Sequence, residues 1–240
     1  LADRGIYRQL VNAYQKSEWV ERIGHGAFIR AGDTVDWTGA LCAIQEQSNL
    51  PIFAGGKTSL EILGYAHSIP LGDGRPIFLF GPSGQRLPKW FSAYDWKVGV
   101  HYTMTNLFSC HQEIGLTSHV IGNYHITLSS LERAVMEVLY FVPGLESFED
   151  ASIFMEGLTT LRPKLVQKLL ESCYSVKVKR LFMYLAEECN LPWVSKVDLS
   201  GVDLGRGKRV IIKGSHFDSK YRIVVPKLSF IRGELPNGDK

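Results

Sequence analysis

Two hydrophobic periods follow one another at the start of this chain. From Gly5 onward, Ile6, Leu10, Ala13 and Tyr14 recur at helical spacing, and Trp19 closes the segment. Arg8, Asn12, Gln15 and Lys16 then share the opposite face, because residues four, seven and eight apart lie on one side of a helix. Period two takes over in residues 20–23 and 27–30, which predict short strands. Gly24-His25-Gly26 lies between them, and glycine supplies the positive backbone angles that a tight hairpin demands. Ala31-Gly32-Asp33 ends the pattern, and a helix is predicted from about Asp36 through Ser48, with Ala40, Leu41 and Ile44 on its apolar side.

The remainder alternates before it turns helical. Residues 51–54 predict a strand leading through Gly55-Gly56 into a helix with Leu60, Ile62, Leu63 and Tyr65. Residues 77–80 predict a buried strand, 88–94 a short helix, and 100–108 and 120–126 further strands. Residues 128–141 form an amphipathic helix pattern with Ser129 or Ser130 as its cap, followed by helices at 148–158, 163–173 and 176–188. Residues 209–213 and 221–225 predict a closing hairpin. The class is therefore α/β (α+β).

Read as a unit, a turn at Arg4-Gly5-Ile6, a helix to Trp19 and a β-hairpin match the second half of a helix-turn-helix followed by its wing. The first helix of such a motif is expected upstream of Leu1. On this reading Tyr7, Arg8, Gln9, Asn12, Gln15 and Lys16 face base edges and phosphates in the major groove, while Arg22, His25 and Arg30 on the hairpin meet the backbone or minor groove. A purely structural helix and hairpin is the alternative. The division expected is a winged helix-turn-helix over residues 1–36 and an effector domain over 37–240, α/β to about 127 and helical beyond.

Charge is compatible with a polyanionic partner for the C-terminal part and equally with a solvated basic face. The net charge of +3 hides a split: residues 1–159 carry 11 basic and 16 acidic side chains, and residues 160–240 carry 16 and 8. Lys177, Lys179 and Arg180 open a predicted helix whose dipole disfavours them. With Arg206, Lys208 and Arg209 they are a candidate basic surface, either for phosphate or simply solvated.

Other chemistry is less well supported. Gly55-Gly56-Lys57-Thr58 follows a strand and opens a helix, but Pro51 stands where a phosphate loop requires its first glycine. A phosphate-handling enzyme using Lys57, Thr58 or His67 remains the alternative reading, and a protein-interaction module on the C-terminal basic helices a third. Cys110 beside His111 would point to opposite faces of a strand, and with His119 and His125 matches no metal-ligand spacing, so neither a metal nor a cofactor is expected. Four scattered cysteines without a C-x-x-C pair, the lack of a signal peptide, and apolar runs far below the roughly 18 residues of a membrane span predict a reduced, cytoplasmic protein.

Blocks along nearly the whole chain resemble the AbiEi family of antitoxins. They include Tyr14-x-Lys16-Ser17-x-Trp19, Arg22-Ile23-Gly24-x-Gly26-Ala27-Phe28, Gly55-Gly56-Lys57-Thr58-Ser59-Leu60-Glu61, Leu131-Glu132-Arg133-Ala134, Leu161-Arg162-Pro163 and Gly205-x-Gly207-Lys208-Arg209. The resemblance implies a non-enzymatic antitoxin of a type IV toxin–antitoxin pair with a phage-defence association. Its winged helix would bind inverted repeats in double-stranded operator DNA and repress its own operon. It would counter a nucleotidyltransferase toxin without a stable complex. Glu18 stands where the family resemblance leads one to expect glycine.

Overall fold

The computed structural model describes residues 8–65, 76–108, 113–213 and 215–227. Tyr7, the Arg4-Gly5-Ile6 turn, His67, Cys110 and His111 lie outside the described residues, as does the side chain of Arg8. In chain order the elements are α1 (Arg8–Lys16), β1 (Val20–Gly24), β2 (Ala27–Arg30), α2 (Trp37–Glu46), β3 (Phe53–Ala54), α3 (Gly56–Ile62), β4 (Ile77–Gly81), α4 (Lys89–Ala93) and β5 (Val100–Met104). Then follow β6 (Leu116–Ile121), β7 (Tyr124–Ser129), α5 (Leu131–Phe141), α6 (Phe148–Gly157), α7 (Pro163–Ser172), α8 (Val176–Glu188), β8 (Arg209–Val210), β9 (His216–Asp218) and β10 (Ile223–Val225). The fold is mixed α/β with several sheets, as expected.

The chain forms two compact units, residues 1–54, 72–105 and 118–128 in one, and 55–71, 106–117 and 129–240 in the other. The first unit contains the β1–β2 hairpin and most of a five-stranded sheet of order β5-β4-β3-β7-β6. Here β4 runs parallel to β5 and antiparallel to β3, and β3 runs parallel to β7. Every residue of β4 is buried, which explains its unbroken apolar run. Asp36 caps α2 by accepting the Gly39 amide at 2.9 Å. The Gln45 side chain ties α2 to the sheet: its amide donates to the Ile52 and Thr127 carbonyls at 2.8 and 3.0 Å, and its oxygen accepts the Thr127 amide at 2.8 Å.

The second unit is helical, with its core built from Val135, Leu139, Phe148, Leu169, Leu181 and Phe182, all 0% exposed. Each such side chain contributes roughly 1.5–3 kcal/mol of burial. Trp193 packs at a tilt against Phe182, with ring centres 5.5 Å apart, and donates its indole N–H to the Leu158 carbonyl at 2.8 Å.

Several local expectations change; the strand predicted at 100–108, for one, ends at Met104. The strand predicted at 120–126 is two strands, β6 and β7, because Gly122 turns the chain at a φ of +57°. The helix predicted from 128 begins at Leu131, with Ser130 at the cap position, since residues 124–129 are paired as β7. The closing hairpin is a three-stranded sheet of order β8-β10-β9: β10 pairs parallel to β8 and antiparallel to the intervening β9.

Candidate nucleic-acid interface

Helix α1 is short and polar, and its end is built locally. The Ser17 hydroxyl donates to the Ala13 carbonyl at 2.8 Å, and the Trp19 amide returns to the Tyr14 carbonyl at 2.9 Å. Glu18, between them, takes a φ of +56°, the left-handed region that glycine enters without penalty. Gln9, Asn12 and Lys16 follow one another by three and four residues and are exposed, while Gln15 is half-buried. Lys16 lies in the last turn, where the helix dipole favours a cation. Its apolar side is partly open: Leu10 is 38% and Tyr14 41% exposed, and Trp19 lies 69% exposed over Tyr14. The helix is nine residues long and packs on β1 rather than into the sheet core.

Strands β1 and β2 form an antiparallel hairpin in which Val20 faces Arg30, Arg22 faces Phe28 and Gly24 faces Ala27. The connection is thus the two residues His25-Gly26, with Gly26 at a φ of +78°. Directly paired residues share a face, so Arg22 and Arg30 project together from one side. Both are exposed, as is His25 at the tip. Arg22 Nε donates to the Gly24 carbonyl at 3.1 Å, which fixes the guanidinium along the strand. Gly24 also lets α4 approach: a Cβ there would lie 2.5 Å from the Trp90 Cβ. Trp90 belongs to an aromatic group with Phe91 and Trp96, at 5.7 and 6.4 Å, so the hairpin rests on a rigid support.

The Gly55-Gly56-Lys57-Thr58 turn is already filled by the protein's own carboxylates. Glu137, 1% exposed, accepts the Gly56 amide at 2.9 Å, the Ser129 hydroxyl at 2.8 Å and Arg133 Nε at 2.8 Å. Lys57 pairs with the buried Glu146 and lies 3.6 Å from Asp150. Burial pushes the Glu146 carboxyl above its usual range against the pull of Lys57. An incoming phosphate would find both the helix end and the lysine occupied. Among the described residues no group of three His, Cys, Asp or Glu side chains could hold a metal ion.

The six C-terminal cations separate into two roles. Arg180 is 2% exposed and donates to the carbonyls of Leu204, Gly207 and Arg222 at 2.6, 2.8 and 3.3 Å, so it belongs to the scaffold rather than to a surface. Lys179 is 5% exposed. Lys177 is half-buried and caps α5, donating to the Tyr140 and Val142 carbonyls at 2.6 and 2.7 Å. Burial, with Arg209 nearby, pulls its ammonium below the usual lysine range. Arg206, Lys208 and Arg209 are exposed. The expected surface thus loses Lys179 and Arg180, which are buried, and Lys177, whose ammonium is committed to two carbonyls.

A short polar helix leading into a hairpin with a two-residue turn, together with the five-stranded sheet and the helices, defines a mixed α/β fold. The chain belongs to the AbiEi family: residues 75–226 match the model described as "Transcriptional regulator, AbiEi antitoxin, Type IV TA system", and residues 1–71 match that of the AbiEi antitoxin N-terminal domain. Among solved structures it is similar to the RV2827C protein from Mycobacterium tuberculosis, with a TM-score of 0.62 and 15% identity over 97% of this chain and 85% of that one. That likeness concerns the fold. No curated protein matches the chain significantly. Among the described residues no helix is long and apolar enough to cross a membrane.

Proposed function

We propose that this antitoxin regulator binds inverted repeats in its own operator through α1 and the β1–β2 wing, and so represses its operon. In this reading residues 1–36 recognise DNA: Gln9, Asn12 and Lys16, with Tyr7, Arg8 and Gln15, address the major groove, while Arg22, His25 and Arg30 contact phosphates or the minor groove. Residues 37–240 counter a nucleotidyltransferase toxin in the cytoplasm without a stable complex. The observation that carries the reading is the common orientation of Arg22 and Arg30 on a hairpin held from behind by Trp90. The filled Gly56 turn speaks against the phosphate-handling enzyme.

A gel shift on the operon's promoter tests it. Specific retardation that weakens steeply with salt is expected; equal affinity for promoter and random duplex would remove operator recognition from the proposal.

A further inference from the structure

The outer face of the C-terminal sheet combines cations with exposed apolar side chains. Val210 on β8, Val224 on β10 and Phe217 on β9 are paired in one row, so they point to the same side. Val210 is 52% and Phe217 41% exposed. Lys208, two residues before Val210, reaches across this face to place its ammonium 5.0 Å from the centre of the Phe217 ring. Arg206 and Arg222, in the segments that lead into β8 and β10, are exposed, whereas Arg209 is paired with Ile223 and belongs to the other side. The one carboxylate on these strands, Asp218, is paired with the buried Ile223 on the other side and accepts the Tyr221 amide at 2.6 Å. Arg180 underneath holds the chain at Leu204, Gly207 and Arg222, the segments that display these cations.

We propose that this face binds unpaired nucleotides: a base stacks on Phe217 beside Val210 while Lys208, Arg206 and Arg222 meet the flanking phosphates. Charge alone would suit any polyanion, but it leaves the ring and the valine hydrated. A duplex hides the faces of its bases, whereas a single strand offers them together with its phosphates, and base stacking on an aromatic side chain is the usual way such strands are held. When a strand arrives, the Lys208 ammonium leaves the ring for a phosphate, so the contact present in the free protein keeps the ring covered without blocking it. This proposal does not depend on operator recognition by the wing.

Fluorescence anisotropy of the full chain against labelled single strands of about twelve nucleotides, oligo(U) and oligo(dT), and against a non-operator duplex of the same length, tests it. The single strands should bind more tightly than the duplex, and the two arms show whether ribose or deoxyribose is preferred. Phe217→Ala should weaken single-strand binding by about tenfold, Phe217→Trp should preserve it, and Lys208→Gln should lower the salt slope by about one. The Arg22→Ala/Arg30→Ala variant should bind single strands like the wild type even if it loses operator DNA, which keeps the two readings separate. No single-strand binding, equal displacement by duplex, or an unchanged affinity in a folded Phe217→Ala protein would overturn the proposal.

Discussion

The hairpin and the Glu137 centre use the same residue types for opposite ends. On the hairpin, Arg22 and Arg30 are solvated, and their common face is set by strand pairing. Around Glu137, Arg133 is 4% exposed, with Nε on the carboxylate and a terminal nitrogen on the Ile114 carbonyl at 2.8 Å. Its guanidinium also lies 4.8 Å from the centre of the Phe108 ring. A charge in the first setting is available to a ligand at little cost in stability, whereas one in the second holds helices and strand ends together and is available to nothing else. The contrast says where to look for function: cations kept hydrated on a rigid support, rather than cations merely close in sequence.

The sharpest way to break this contrast is to remove Glu137. Glu137→Ala removes the carboxylate that neutralises the buried Arg133 and accepts the Gly56 amide and the Ser129 hydroxyl, a loss of about 3–5 kcal/mol. Urea denaturation should show it as a lowered midpoint. A loss below about 1 kcal/mol would mean that the centre is wet and that Gly56 is open to a competing phosphate.

The same comparison predicts the reverse at the wing. Arg22→Ala/Arg30→Ala should change stability by less than about 0.5 kcal/mol, since both side chains are exposed. Operator affinity should fall by about tenfold or more, with the salt slope reduced by about two. Matching slopes for variant and wild type would take these arginines off the DNA.

How much of this was readable in the sequence depends on the distance over which each feature is decided. The helix and hairpin before residue 31 are local: the period changes from helical to two at Trp19, and a glycine pair marks a turn that the structure narrows to His25-Gly26. The occupation of the Gly56 turn is not local, because Glu137 lies 81 residues away and reads as one polar position of an amphipathic helix. The scaffold role of Arg180 is hidden for a related reason. Its partners are backbone carbonyls 24, 27 and 42 residues downstream, which carry no signature in side-chain chemistry. The parallel pairing of β8 and β10 was equally hidden, as strands of two and three residues have too few positions to declare a direction. The exposure of Leu10 and Tyr14 shows a further limit, since periodicity identifies an apolar stripe without saying what covers it.

An acid titration probes the buried carboxylates directly. Glu132 is 2% exposed; burial raises its carboxyl, but Arg162, donating from its guanidinium at 2.9 and 3.0 Å and from its amide at 2.9 Å, holds it below the usual carboxylate range. A depressed folded value stabilises the native state above the unfolded value, about 4.3, and that contribution disappears as pH falls through the folded one. Wild type should therefore lose more stability than Glu132→Gln between pH 6 and pH 3.5. Because Arg162 is largely solvated, the difference is screened to about 1 kcal/mol. Parallel denaturation midpoints for the two proteins across this range would show that the pair contributes nothing.

The smallest expected effect concerns the residue joining helix to wing. Glu18 sits at a φ of +56°, and the glycine expected there from the family resemblance enters that region freely. Left-handed backbone costs a side-chain-bearing residue roughly 1–2 kcal/mol, while glycine gives back up to about 1 kcal/mol through the greater freedom of its unfolded chain. Glu18→Gly should therefore raise stability by less than about 1 kcal/mol, visible as a small upward shift in Tm. It also removes a carboxylate from the segment that carries Lys16 and Arg22, which should strengthen non-specific duplex binding at low salt without altering sequence preference. If Glu18→Gly instead destabilises the protein, the turn owes its shape to the glutamate side chain and not to its backbone angle. If duplex affinity stays the same at low salt, the junction lies outside any duplex contact made by the hairpin.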